Sequence, residues 1–142
     1  MAPPQTGRAA TVGAVTEHGP LARRVLGYQE TMKRLVPSIR TPQDWAELES
    51  FVAVDEFERI GTFMEVQNWQ QYTQLLARWG TGIDRFETTV QRVSELPDLV
   101  YFAAEERHFA GERITVVNSL SMFEFNADAK IRRLSVYMQQ AR

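Results

Sequence analysis

Residues 121–131, with the sequence SMFEFNADAKI, carry the clearest information about the fold. The segment is rich in apolar and aromatic residues up to Phe125, and the turn-forming residues 126–129 then interrupt it. Aromatic and β-branched residues favour strands, whereas Asn, Asp and small residues favour turns. A second segment of strand character follows from Lys130 to Gln140. The stretch therefore predicts the turn of an antiparallel hairpin.

Similar segments precede this hairpin. Turn residues separate them at Leu96-Pro97-Asp98 and at Ala110-Gly111. We predict four long strands in an antiparallel meander, covering about residues 86–94, 99–109, 113–126 and 130–140.

The first half of the chain shows helical periodicity. Apolar residues recur at steps of three and four, which is typical of amphipathic helices. The three predicted helices carry the stripes Leu21, Val25, Tyr28, Met32 and Leu35; Trp45, Leu48 and Val52; and Trp69, Tyr72, Leu76 and Trp79. Thr41-Pro42-Gln43-Asp44 predicts the start of the second helix, and Gly80-Thr81-Gly82 the end of the third. Residues 54–66 between them suggest a strand or an irregular hairpin.

Helices followed by a meander indicate an α+β fold in a chain of 142 residues, which is the size of one domain. Residues 1–17 contain Pro and Gly without apolar periodicity, so we predict a flexible N-terminal arm followed by a single domain over residues 18–142.

Composition excludes several function classes. The net charge is -2 without a basic stripe, which disfavours nucleic acid as a partner. The chain has no cysteine, so thiolate catalysis and cysteine-ligated metals are excluded, and His18 and His108 are too few for a convincing metal site. No apolar run reaches membrane-spanning length and no secretion signal is evident, so we expect a cytoplasmic protein.

The order of elements, together with the closing hairpin and Val136-Tyr137 in its last strand, resembles the nuclear transport factor 2 (NTF2)-like superfamily, which includes ketosteroid isomerases and SnoaL-like polyketide cyclases. The resemblance covers roughly residues 21–140. It implies a cone-shaped, curved antiparallel sheet closed by three helices around one apolar pocket, and a homodimer formed through the outer face of the sheet. The expected ligand is a hydrophobic small molecule, with no cofactor and no metal.

Two catalytic candidates follow from the resemblance. Ketosteroid isomerases use a carboxylate on the first strand, and Glu58 lies on the same strand face as the matching position, Ile60. Glu58 could be a displaced general base, or a surface residue paired with Arg59 or Arg85. Tyr28 could stabilise an oxyanion, or be a core tyrosine bonded to a backbone carbonyl.

The expected substrate-binding wall follows from the register of the closing hairpin. In the preceding strand of the meander, alternation directs one of two sets inward: Tyr101, Ala103, Glu105 and Arg107, or Phe102, Ala104, Glu106 and His108. We favour the first set, which leaves His108 as a solvated side chain. The predicted lining is Tyr101, Glu105, Ser119, Ser121, Phe123, Leu134, Val136 and Met138.

The leading functional hypothesis is a cofactor-free isomerase, cyclase or dehydratase that transfers protons on a hydrophobic carbonyl compound. The alternative is a non-catalytic module of the same fold that binds a hydrophobic ligand or dimerises.

Overall fold

A computed structural model describes residues 18–140, and the predicted arm lies outside this range. The first helix, α1 (Pro20–Leu35), has proline in its first turn and buries the predicted stripe through Leu21, Val25 and Tyr28. Its first turn is also fixed from the sheet, because the Ala22 amide donates a hydrogen bond to the Glu95 carboxylate at 2.8 Å.

The second predicted helix is a 3₁₀ helix, Pro42–Phe51, which follows a 3₁₀ turn at Val36–Ser38. Asp44 Oδ2 accepts backbone hydrogen bonds from Thr41 and Arg40, each at 2.8 Å, and these bonds lower the pKa of the Asp44 carboxyl. The predicted start of this element is confirmed.

The third predicted helix, α2 (Trp69–Thr81), begins with a reciprocal cap between Asn68 and Gln71. Trp69, Tyr72 and Leu76 are buried on the face that we predicted. Both α-helices therefore present apolar faces to the sheet.

Six strands form one curved sheet in the order β2-β1-β6-β5-β4-β3. The meander of β3 to β6 is antiparallel, as predicted, whereas β1 runs parallel to β6, so the complete sheet is mixed. The strand bounds are β1 (Glu58–Ile60), β2 (Val66–Gln67), β3 (Arg85–Leu96), β4 (Leu99–Ala110), β5 (Arg113–Phe125) and β6 (Ile131–Gln140).

The core lies between the helices and the concave face of the sheet, which confirms the predicted α+β class and its three helical segments. Large side chains that are completely covered come from both layers, including Tyr28, Trp45, Phe102 and Phe123. None of the helices formed by residues 18–140 is long and apolar enough to cross a membrane.

The register of β4 differs from our prediction. Phe102 pairs with Ser121 and Ala104 with Ser119, and directly opposed residues of an antiparallel pair point to the same face. The β4 side chains on the concave face are therefore Phe102, Ala104, Glu106 and His108. The prediction that Tyr101 and Glu105 point inward is wrong. The tight turn between Ala110 and Arg113 sets this register, and a register error of one residue exchanges the two faces.

Candidate functional site

A cavity of about 260 Å³ lies between the two α-helices and the concave face of the sheet. Most of the residues that line it are apolar. The apolar lining consists of Met32, Leu75, Leu76, Trp79, Phe86, Phe123, Leu134, Val136 and Met138. Ser119 and Ser121 add two hydroxyl groups on β5, so six of the predicted lining residues lie at this cavity: Ser119, Ser121, Phe123, Leu134, Val136 and Met138.

Tyr28 reaches the cavity from the middle of α1 and is only 1% exposed. Its ring makes edge contacts with Phe51 and Phe123 at centroid distances of 6.1 and 5.9 Å. Among residues 18–140, no group forms a hydrogen bond of good geometry with its hydroxyl, although the Tyr72 side chain lies close enough to interact with it. Burial and the nearby Tyr72 raise the pKa of Tyr28 well above its ordinary value, so this group remains a neutral donor.

Arg59 contributes a permanent positive charge from β1. The side chain is buried, and its guanidinium carbon lies 5.2 Å from the centre of the Tyr72 ring. Its Nη1 donates to Gln67 Oε1 at 3.0 Å and lies 3.6 Å from the Glu65 carboxylate. Sequence reasoning missed Arg59, although its position between Glu58 and Ile60 directs it to the opposite face of the strand.

A second polar group on the wall comes from β4, where His108 Nε2 lies 2.9 Å from Glu106 Oε1. The imidazole packs edgewise against Trp79, with ring centroids 5.4 Å apart, and against Phe86 at 6.1 Å. Both side chains of the pair line the cavity and are mostly buried. They belong to the inward set that we had not favoured, and the prediction that His108 is solvated is wrong.

Comparison with known proteins identifies the fold. No protein-family profile matches the chain, and no curated sequence matches it. Solved structures do match. IdmH from Streptomyces antibioticus, proposed to be a polyketide cyclase, has 12% identity and a TM-score of 0.69, with 85% of this chain and 93% of that chain covered. An NTF2-like protein from Anabaena variabilis has 11% identity and a TM-score of 0.68, with 87% and 94% covered.

The chain has the NTF2-like fold. A third solved structure with this fold is an LEH-like epoxide hydrolase from M. tuberculosis, with 14% identity, a TM-score of 0.66, and 84% of this chain and 82% of that chain covered. At such low identities the similarity concerns the fold, and the names of these proteins describe their own activities.

Within the NTF2-like fold, the predicted position of Glu58 at the cavity is wrong. Glu58 is exposed, and its carboxylate lies 3.2 Å from Arg133 Nη2 on the neighbouring strand β6. The physical reason is the alternation of β1, which buries Arg59 and therefore turns Glu58 outward.

The other two predicted lining residues, Tyr101 and Glu105, lie on the convex face of the sheet. Glu105 pairs there with Arg107 at 3.1 Å. Tyr101 lies opposite Met122.

Besides the Ser119 and Ser121 hydroxyls, the cavity thus combines an apolar wall with two clusters of polar side chains. One contains the hydroxyls of Tyr28 and Tyr72 beside the Arg59 guanidinium, and the other is the Glu106–His108 pair. A donor cluster can stabilise negative charge on oxygen, and an imidazole held by a carboxylate can accept a proton. In residues 18–140, no group of three or more His, Asp and Glu side chains is arranged to hold a metal ion.

Proposed function

We propose that the cavity is the active site of a cofactor-free enzyme that transfers protons on a hydrophobic carbonyl compound, as an isomerase, cyclase or dehydratase. The observation that carries this proposal is the Glu106–His108 pair in the same apolar cavity as the buried Tyr28 hydroxyl. An acid–base pair and an oxyanion donor in one pocket are the groups that enolisation requires. Solved structures of the same fold include a proposed polyketide cyclase, which supports chemistry of this class.

In this proposal His108 replaces Glu58 as the general base. The Glu106 carboxylate accepts a hydrogen bond from Nε2–H, which leaves the lone pair of the neutral imidazole on Nδ1. Nδ1 removes a proton from the carbon next to the substrate carbonyl and later returns it at another carbon or oxygen. The electron pair of the broken C–H bond moves onto the carbonyl oxygen, where the Tyr28 hydroxyl donates a hydrogen bond to the enolate.

The test measures deuterium incorporation next to the carbonyl of hydrophobic ketones in D₂O, followed by NMR. His108→Ala should slow enzyme-dependent exchange by roughly 10²–10⁴-fold, the usual contribution of a positioned base. Tyr28→Phe should slow it by roughly 10²–10³-fold, because the oxyanion loses a donor.

The chain provides matched controls for both variants. His18→Ala removes the other histidine, and Glu58→Gln neutralises the exposed carboxylate outside the cavity. Both should retain the wild-type exchange rate. Full activity in His108→Ala would remove the imidazole from the mechanism. No enzyme-dependent exchange in the wild type would favour the alternative, a non-catalytic module that binds a hydrophobic ligand.

We also propose that the protein is a homodimer formed through the convex face of the sheet. Leu120 of β5 lies opposite Tyr137 of β6, and these side chains are 41% and 57% exposed. Beside them, Met122 lies opposite Tyr101 of β4. An exposed apolar patch of this kind marks an interaction surface, and a second copy would cover it by two-fold symmetry.

A further inference from the structure

Arg59 is buried although not all of its N–H groups have a hydrogen-bond acceptor. The residue is 7% exposed and is the single Lys or Arg side chain among the described residues that line the cavity. A guanidinium has five N–H donors and no acceptor, so a buried arginine normally has several acceptors around it. In the part of the chain that the structure describes, the buried Nε of Arg59 has none.

The charge of Arg59 is also incompletely neutralised. Its nearest carboxylate, that of Glu65, is 3.6 Å from Nη1, which is longer than the 2.7–2.9 Å typical of a charge-assisted hydrogen bond. Glu65 is partly exposed and does not line the cavity, so water screens its interaction with the guanidinium. Gln67 accepts one hydrogen bond but brings no negative charge.

Two tyrosines lie beside this charge. The Tyr72 ring lies under the guanidinium as a neutral cation–π partner, and the buried Tyr28 hydroxyl lies near Tyr72, so neither side chain adds a negative charge. All three side chains line the same cavity. The single carboxylate among the described residues of the cavity wall, that of Glu106, is paired with His108, so an oxygen anion on the ligand would supply the acceptor that Arg59 lacks.

We propose that Arg59 binds a carboxylate of the substrate, so that the cavity selects apolar monocarboxylic acids over neutral compounds of the same shape. This inference rests on the proposed function, since it names the substrate class of the same site. Planar carboxylate geometry matches the guanidinium fork. A dianion such as a phosphate monoester fits less well, because its second charge would approach the carboxylates of Glu106 and Glu65.

The experiment compares two probes of nearly equal shape, 2-naphthylacetate and 2-naphthylacetamide, by isothermal titration calorimetry with the full chain. We expect wild-type protein to bind the acid at least tenfold more tightly than the amide. In Arg59→Gln the preference should disappear, whereas Arg59→Lys should retain part of it because the charge remains. Glu58→Gln, on the same strand but outside the cavity, should bind both probes like the wild type.

Two results would overturn the inference: equal binding of acid and amide by the wild type, or no binding of the acid at millimolar concentration. A retained preference in folded Arg59→Gln would overturn it as well. If Arg59→Gln fails to fold, the acid-to-amide ratio of the wild type still decides. Measurements on His108→Ala separate the proposed function from the carboxylate site. If this variant still prefers the acid and still exchanges protons at the wild-type rate, His108 is not the catalytic base, but the carboxylate site at Arg59 is supported.

Discussion

At the scale of single residues, Tyr28 shows how burial determines the state of a functional group. Its ring packs against Phe51 and Phe123 and the side chain is almost completely buried, so ionisation would place a poorly solvated charge inside the protein. Desolvation is therefore the main cause that raises the pKa of Tyr28, and the Arg59 charge offsets only part of it. A tyrosine in this position remains a hydrogen-bond donor throughout the neutral pH range.

The raised pKa of Tyr28 predicts how stability depends on alkaline pH. The ordinary tyrosine pKa is 10.0, and the folded value is higher, so the contribution of protonated Tyr28 is complete below about pH 10 and is lost as the pH rises further. Urea unfolding should therefore show stability falling less steeply above pH 10 in Tyr28→Phe than in the wild type. Equal slopes in Tyr28→Phe and the wild type would contradict the prediction.

The residues of the site differ in how well the sequence predicts them. Tyr28 is predictable because it lies on a regular apolar stripe, and Ser121 because the hairpin fixes its face. Arg59 is not, because charged residues are usually exposed and its burial depends on Tyr72 and Gln67 from other elements. The inward direction of His108 is missed because it depends on the register of β4 against β5, which is set by the length of the turn between Ala110 and Arg113.

At the scale of elements, the β4–β5 hairpin decides which side chains of β4 face the cavity. Gly111 in its turn has φ of +62°, a left-handed conformation that residues with a Cβ rarely adopt. A Cβ at this position would have no atom within 4 Å, so a substitution there would strain the backbone without a clash.

Gly111→Ala should therefore lower the free energy of unfolding by about 1 kcal/mol, measured by urea denaturation. Gly111→Asn should lose less, because asparagine tolerates the left-handed region. Gly82→Ala provides a control with negative φ and ordinary contacts, the nearest atom being 3.7 Å from the added Cβ. If Gly111→Ala is as stable as Gly82→Ala, the turn imposes no such strain.

Local signals explain which elements the sequence reveals. The start at Thr41 and the stripe of α2 are local patterns and were predicted, and the cap formed by Asn68 and Gln71 is a signal that could also have been used. The parallel pairing of β1 has no local signal, because the strand has three residues and its partner Arg133 is 75 positions from Glu58.

At the scale of the whole molecule, the two faces of the sheet have different roles in our proposals. The concave face forms the cavity, and the convex face carries the apolar patch around Leu120 and Tyr137. Leu120→Glu would place a charge in the proposed dimer interface without touching the cavity.

We expect wild-type protein to sediment as a dimer at micromolar concentration and Leu120→Glu to sediment as a monomer. Val66→Glu is a suitable control, since Val66 is an exposed apolar residue on the short strand β2, away from the patch. A wild-type monomer, or an unchanged dimer in Leu120→Glu, would refute this interface. The thermal melting curve of each variant shows whether the fold survives the substitution.

The parallel pairing of β1 with β6 also bears on the order of folding. Apart from the two-residue strand β2, β1 has only β6 as a sheet neighbour, and β6 comes last in the sequence of strands. Contacts between residues far apart in sequence form slowly, because a long loop must close first. We therefore expect the pairing of β1 with β6 to form late in folding, after the hairpins of the meander, and the complete cavity wall, with its ability to bind a ligand, to form only then.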